Sequence, residues 1–94
     1  MATVRLISYT LKKPGQNYSG LLDYIRSFPS WAKITESSYA VVTTLPPGHL
    51  RNECRRHMDQ NDTITVSTMV APWSAYERKG LLDWLEQELG PASS

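Results

Sequence analysis

The sequence predicts an α+β fold in which strands and helices alternate as βαββαβ, with one extra helix at the C-terminal end. Two observations predict it. Stretches rich in β-branched residues (Thr3 to Leu11, Tyr39 to Thr44, Thr63 to Val70) alternate with stretches whose apolar residues recur every three or four positions. Turn-forming residues fall between them, at Pro14-Gly15, Glu36-Ser37-Ser38 and Asp59 to Asp62. At 94 residues the chain suits one domain, 1–94, with a single modest core.

Thr3 to Leu11 reads as a strand with Val4 and Leu6 on one face and Arg5, Ile7 and Tyr9 on the other. Ser19 is placed to cap the helix that follows, whose apolar stripe is Leu21, Leu22, Ile25 and Phe28, and Pro29 stops it. Trp31 to Thr44 reads as two strands around the Glu36-Ser37-Ser38 turn, with Tyr39 to Thr44 the clearer. Pro46-Pro47 opens a second helix, because a proline in the first turn lacks only an N–H that has no helical partner. Leu50, Cys54 and Met58 then face the core, and Arg51, Arg55 and Arg56 face solvent. Thr63 to Val70 is a strand with Ile64 and Val66 inward. Ser74-x-x-Glu77 has the spacing of a capping box, and Leu81, Leu82, Leu85 and Leu89 form the stripe of a last helix ended by Gly90-Pro91.

This order is that of the split βαβ, or ferredoxin-like, arrangement. Such a sheet carries its helices on one face and leaves the other for dimerisation or RNA. Arg5, Ile7, Tyr9 and Met69 are expected on that open face and therefore in a homodimer interface.

The composition is that of an ordinary globular chain, 40% hydrophobic and 20% charged. A net charge of +1 provides no overall field for nucleic acid or membrane, so attraction must come from a local patch. A single cysteine forms no internal disulfide and suits a reducing, cytoplasmic setting. Arg5 and Ser8 interrupt the first apolar run, so no signal peptide is expected there, and no run approaches the length of a membrane span.

The segments "ISYTLKKPGQNY" (Ile7 to Tyr18), Ser30-Trp31, "ESSYAVVTTL" (Glu36 to Leu45), "HMDQNDTITV" (His57 to Val66) and the linker with Trp73 occur in an order that resembles the SinR-like small proteins. These are relatives of the small CRISPR-associated adaptation subunit and of virulence-associated protein D. The likeness runs from Thr3 to about Leu89. It implies a ferredoxin-like homodimer and, as in several relatives, metal-dependent cleavage of RNA or DNA. An aspartate that ends the first strand after a tyrosine then holds the metal. Here the tyrosine is Tyr9 and the aspartate position is Thr10. A neutral hydroxyl is a poor magnesium ligand, so the resemblance implies a scaffold without the family's metal site.

Other residues capable of chemistry have simpler readings. Asp59, Asn61 and Asp62 lack the glycine and distal glutamate of a calcium loop and read as a turn held by its own side chains. His49 and His57, eight residues apart on the second helix, lie about 12 Å apart along its axis and cannot share a metal within one subunit. Cys54 falls on the buried stripe and reads as core. Arg51, Arg55 and Arg56 cluster on the second helix and, with Lys12 and Lys13 in the first loop, are the candidate phosphate contacts. The alternative is a solvated helix face partly neutralised by Glu53.

The sequence thus leads to a cytoplasmic homodimer, a nucleic-acid-associated binding or assembly module for RNA or DNA that needs no cofactor and contacts no membrane. One alternative is a toxin–antitoxin type endoribonuclease using Mg2+ on a relocated carboxylate, Asp59 or Asp62. Another is a protein-binding module acting through Trp31 or Trp73.

Overall fold

In a computed structural model that describes residues 2–12 and 18–93, the chain forms an antiparallel sheet and three helices in the order βαββαβα. The elements are β1 (Thr3–Thr10), α1 (Ser19–Arg26), β2 (Trp31–Thr35), β3 (Ser38–Thr43), α2 (Pro47–Arg55), β4 (Thr63–Met69) and α3 (Lys79–Leu89). The strands lie in the order β2-β3-β1-β4, which puts β1 and β3 in the centre and β2 and β4 at the edges.

Register decides what each face carries. Ile7 stands opposite Tyr39 of β3 and Val66 of β4, so these three share a face. Against them pack Leu21 and Ile25 of α1 and Leu50 and Cys54 of α2, all fully buried, and this is the core. Burying each of the large aliphatic side chains contributes about 1.5–3 kcal/mol. Lysine at position 13 and the Pro14-Gly15 turn lie outside the described residues.

The expected dimer face is therefore corrected. Ile7 is 0% exposed and Tyr9 7%, both beneath α1 and α2 rather than on an open surface. Arg5 shares their face at its margin, donating from Nε to the Leu45 carbonyl at 3.2 Å and from Nη1 to the Thr68 hydroxyl. The strand alternation was read correctly, but helices need a large apolar surface, and Ile7 with Tyr39 and Val41 provides it. Only Met69 of the four lies on the other face, half-buried.

Nor is that other face left open. Leu81 and Leu85 of α3 are buried. A cavity of about 290 Å³ between α3, the linker and the sheet is lined by Ile34, Met69, Trp73, Leu81 and Leu85 among others. Trp84 Nε1 donates to Ser30 Oγ at 3.0 Å, and Ser30 Oγ donates to Glu88 at 3.1 Å, fastening α3 to the start of β2. Trp73 Nε1 donates to the Gly90 carbonyl at 2.9 Å, tying the linker to the far end of α3.

Two helix starts differ from the sequence expectation. Tyr18 rather than Ser19 occupies the N-cap of α1, and its side chain does not cap that end. α3 begins at Lys79 and has no side-chain cap, so the Ser74–Glu77 box is not used. The linker leaves β4 after Met69 and reaches β2, where Arg78 donates to the Lys33 carbonyl at 3.2 Å. These strands are opposite edges of the sheet, and extended chain covers about 3.3 Å per residue against 1.5 Å in a helix. Crossing thus favours extended backbone over the local capping signal. Pro47 does sit in the first turn of α2, and Gly90, with φ of 85°, ends α3 as expected. Among the described residues, no helix is long and apolar enough to cross a membrane.

Candidate nucleic-acid interface

α2 presents Leu50 and Cys54 to the core, which turns Arg51 and Arg55 outward, one turn apart. Arg51 lies at the edge where α2 overhangs β4, in a groove of about 260 Å³ lined by Pro47, Gly48, Ile64, Thr65 and Val66. Both its Nε and Nη2 reach Asn52 Oδ1 at 3.2 Å, and the side chain remains exposed. Arg55 Nη1 donates to the Asp59 carbonyl at 3.2 Å and reaches the Asp62 carbonyl at 3.5 Å, closing the turn into β4. Arg56, one position further round the helix, pairs with Glu53 at 3.4 Å.

Asp62 organises this end of the molecule. Its Oδ1 accepts the Lys12 N–H at 2.6 Å, and its Oδ2 accepts the Tyr18 hydroxyl at 2.9 Å and the Asp59 N–H at 2.7 Å. Burial raises the carboxyl pKa, but these three donors and the Arg55 charge outweigh it, and the net shift is downward. The same contacts bring Lys12, at the end of β1, to the side of the molecule where Arg55 stands. Of the five cations the sequence singled out, Arg51 and Arg55 share the outward face of α2, and the backbone of Lys12 is tied to Asp62, whose carbonyl Arg55 reaches. Arg56 is engaged by Glu53, and Lys13 lies outside the described residues.

Thr10 is exposed at the end of β1, opposite Thr63 of β4. Tyr9 before it is buried, and desolvation raises its phenol pKa. Asp62, a carboxylate of the relocated-ligand alternative, has its oxygens committed to Lys12, Tyr18 and Asp59. Among the described residues, no three His, Cys, Asp or Glu side chains come together to hold a metal. α2 ends at Arg55, so His57 lies beyond the helix, contrary to expectation. Its ring stacks on Tyr24 at 5.9 Å, while His49 Nε2 lies 3.9 Å from Glu53 Oε1. Cys54 is fully buried, and desolvation pushes its thiol up to about 12, which makes it packing rather than a nucleophile.

The sequence reading missed two features. One is the Asp62 hub, whose partners are far away in sequence. The other is Arg26, whose guanidinium carbon lies 5.7 Å from the Trp31 ring centroid and 5.8 Å from that of Tyr39. Arg26 Nη2 also donates to the Tyr39 hydroxyl at 3.0 Å. Trp31, a candidate protein contact, is therefore already engaged on one side, and Trp73 is half-buried and bonded to Gly90. A basic residue in the last turn of a helix that leads into an aromatic edge strand was the available signal.

No protein-family model, curated protein or solved structure matches this chain.

Proposed function

We propose that the chain is a ferredoxin-like binding module, kin to the SinR-like small proteins, that holds a nucleic-acid backbone along the α2–β4 side without cleaving it. The observation that carries this reading is that Arg51 and Arg55 stand on the outward face of α2 beside β4, and that Asp62 ties the Lys12 backbone to the turn whose carbonyls Arg55 reaches, on a nearly neutral molecule. Three cations spaced along an edge suit phosphates, which offer charge at regular intervals and no sequence information. The ferredoxin-like part rests on the βαββαβ order and the β2-β3-β1-β4 sheet. The absence of cleavage rests on Thr10, a neutral side chain at the strand end where the resemblance implies a metal ligand, and on the committed oxygens of Asp62.

The test is a fluorescence-anisotropy screen of labelled single- and double-stranded RNA and DNA at low salt, with gels of the same samples with and without magnesium. The expected result is weak binding with little sequence preference and intact oligonucleotides. Magnesium-dependent cleavage by the native chain, abolished by Asp62→Asn and untouched by Thr10→Ala, overturns it in favour of the endoribonuclease. No binding to any of the four probes also overturns it.

A further inference from the structure

β4 is a sheet edge without the usual defences. On its inner side every residue from Thr63 to Met69 is in unbroken antiparallel register with β1. On its outer side, among the described residues, no strand pairs with it. Its sequence, Thr63-Ile64-Thr65-Val66-Ser67-Thr68-Met69, holds neither charge nor proline. Charges, prolines and bulges are what keep edge strands from templating another chain.

The opposite edge is defended in each of these ways but proline. β2 has a register irregularity between Lys33 and Thr35. The Lys33 ammonium pairs with Glu36 at 3.2 Å, and Arg78 occupies the Lys33 carbonyl. The contrast between the two edges points to β4 as a pairing edge.

We infer that β4 pairs with β4 of a second copy, antiparallel about Val66, joining two sheets into one of eight strands. A second copy fits because the strand matches its own reverse about that centre. Val66 meets itself, Ile64 meets Thr68, and Thr65 meets Ser67. These pairs are β-branched or small, and no like charges are opposed. Ile64 and Val66 are half-exposed along the groove under α2, and pairing shields them. The contact is isologous, with its two-fold axis perpendicular to the sheet. Both α2 helices then lie on the same side, and their arginines form one basic surface. That last consequence rests on the proposed function, but the pairing does not: the first is read by oligonucleotide binding, the second by mass.

The experiment is light scattering on the native chain and on charge variants of exposed Thr65 and Ser67, with circular dichroism as the control for folding. The native chain approaches twice 10.6 kDa as concentration rises. In Thr65→Lys/Ser67→Lys each new lysine opposes another across the dyad, and the dimer dissociation constant rises roughly tenfold or more. Thr65→Glu/Ser67→Glu behaves likewise alone, and mixing the two variants restores a dimer of unlike chains. Should a double variant lose its circular dichroism, Thr65→Lys mixed with Ser67→Glu sets one lysine opposite one glutamate across the dyad, and that mixed dimer is expected to be tighter than the dimer of either variant alone. A native chain that stays at 10.6 kDa overturns the inference. So does a lysine variant that dimerises as well as the native chain, which places the contact elsewhere on the surface.

Discussion

The Asp62 carboxylate accepts the backbone N–H of Lys12 at 2.6 Å across fifty residues of sequence. The same carboxylate takes the Tyr18 hydroxyl and the Asp59 N–H. The end of β1, the start of α1 and the turn into β4 therefore meet on one side chain. A neutral replacement cannot satisfy all three donors, because an amide presents its own N–H groups on one side.

Asp62→Asn is expected to lower the thermal midpoint at neutral pH, with a pH signature that identifies the cause. The folded-state pKa lies below the ordinary aspartate value of about 3.9. The stability that the ionised carboxylate supplies is therefore fully present above that pH and is lost as pH falls through the lower folded value. Native and variant midpoints should converge over that acid range in melts followed by circular dichroism. A gap that stays constant down to pH 2 would show that the charge is not what matters.

Ile7→Ala is expected to cost about 2–5 kcal/mol, the usual range for truncating a buried aliphatic side chain. Ile7→Lys should unfold the chain, since an ammonium there has only Tyr39, Val66 and the helix residues around it. Urea titrations check both. A well-folded Ile7→Lys would return this residue to the surface.

The fate of Ile7 shows what the sequence could and could not tell. Period-two alternation put Arg5, Ile7 and Tyr9 together, as they are, and the strand and helix order was legible from β-branched runs, apolar stripes and prolines. Alternation does not say which face meets the helices, because Val4 and Leu6 make the other face apolar too. Turn chemistry marked Asp59 to Asp62 correctly, but the distant partners of Asp62 leave no local signal. The Ser74–Glu77 pattern was a valid helix start in isolation; the need to span the sheet overrode it. In the candidate interface, Arg51 and Arg55 were legible from helical spacing and Lys12 from its place in the first loop, but the Asp62 carboxylate that ties the Lys12 backbone to the turn before β4 was not.

Cys54 should resist alkylation in the native state at pH 8, because its thiol is buried and pushed up to about 12. Labelling followed by mass spectrometry should therefore track unfolding by urea. Cys54→Ala should be tolerated better than Cys54→Ser, whose hydroxyl would cost about 1–3 kcal/mol if it found no partner in the core. Rapid labelling without denaturant would contradict the packing of α2 against Ile7.

The phosphate contacts proposed for Lys12, Arg51 and Arg55 are checked by the salt dependence of oligonucleotide affinity in the native chain and in Arg51→Ala. Arg51 is exposed and bonds only its neighbour Asn52 among the contacts described, so its loss should leave the fold intact. The expected log–log slope is roughly −2 to −3 for the native chain, with its magnitude reduced by roughly 0.7–0.9 in the variant, one phosphate contact fewer. An identical slope and affinity in the two proteins would contradict it.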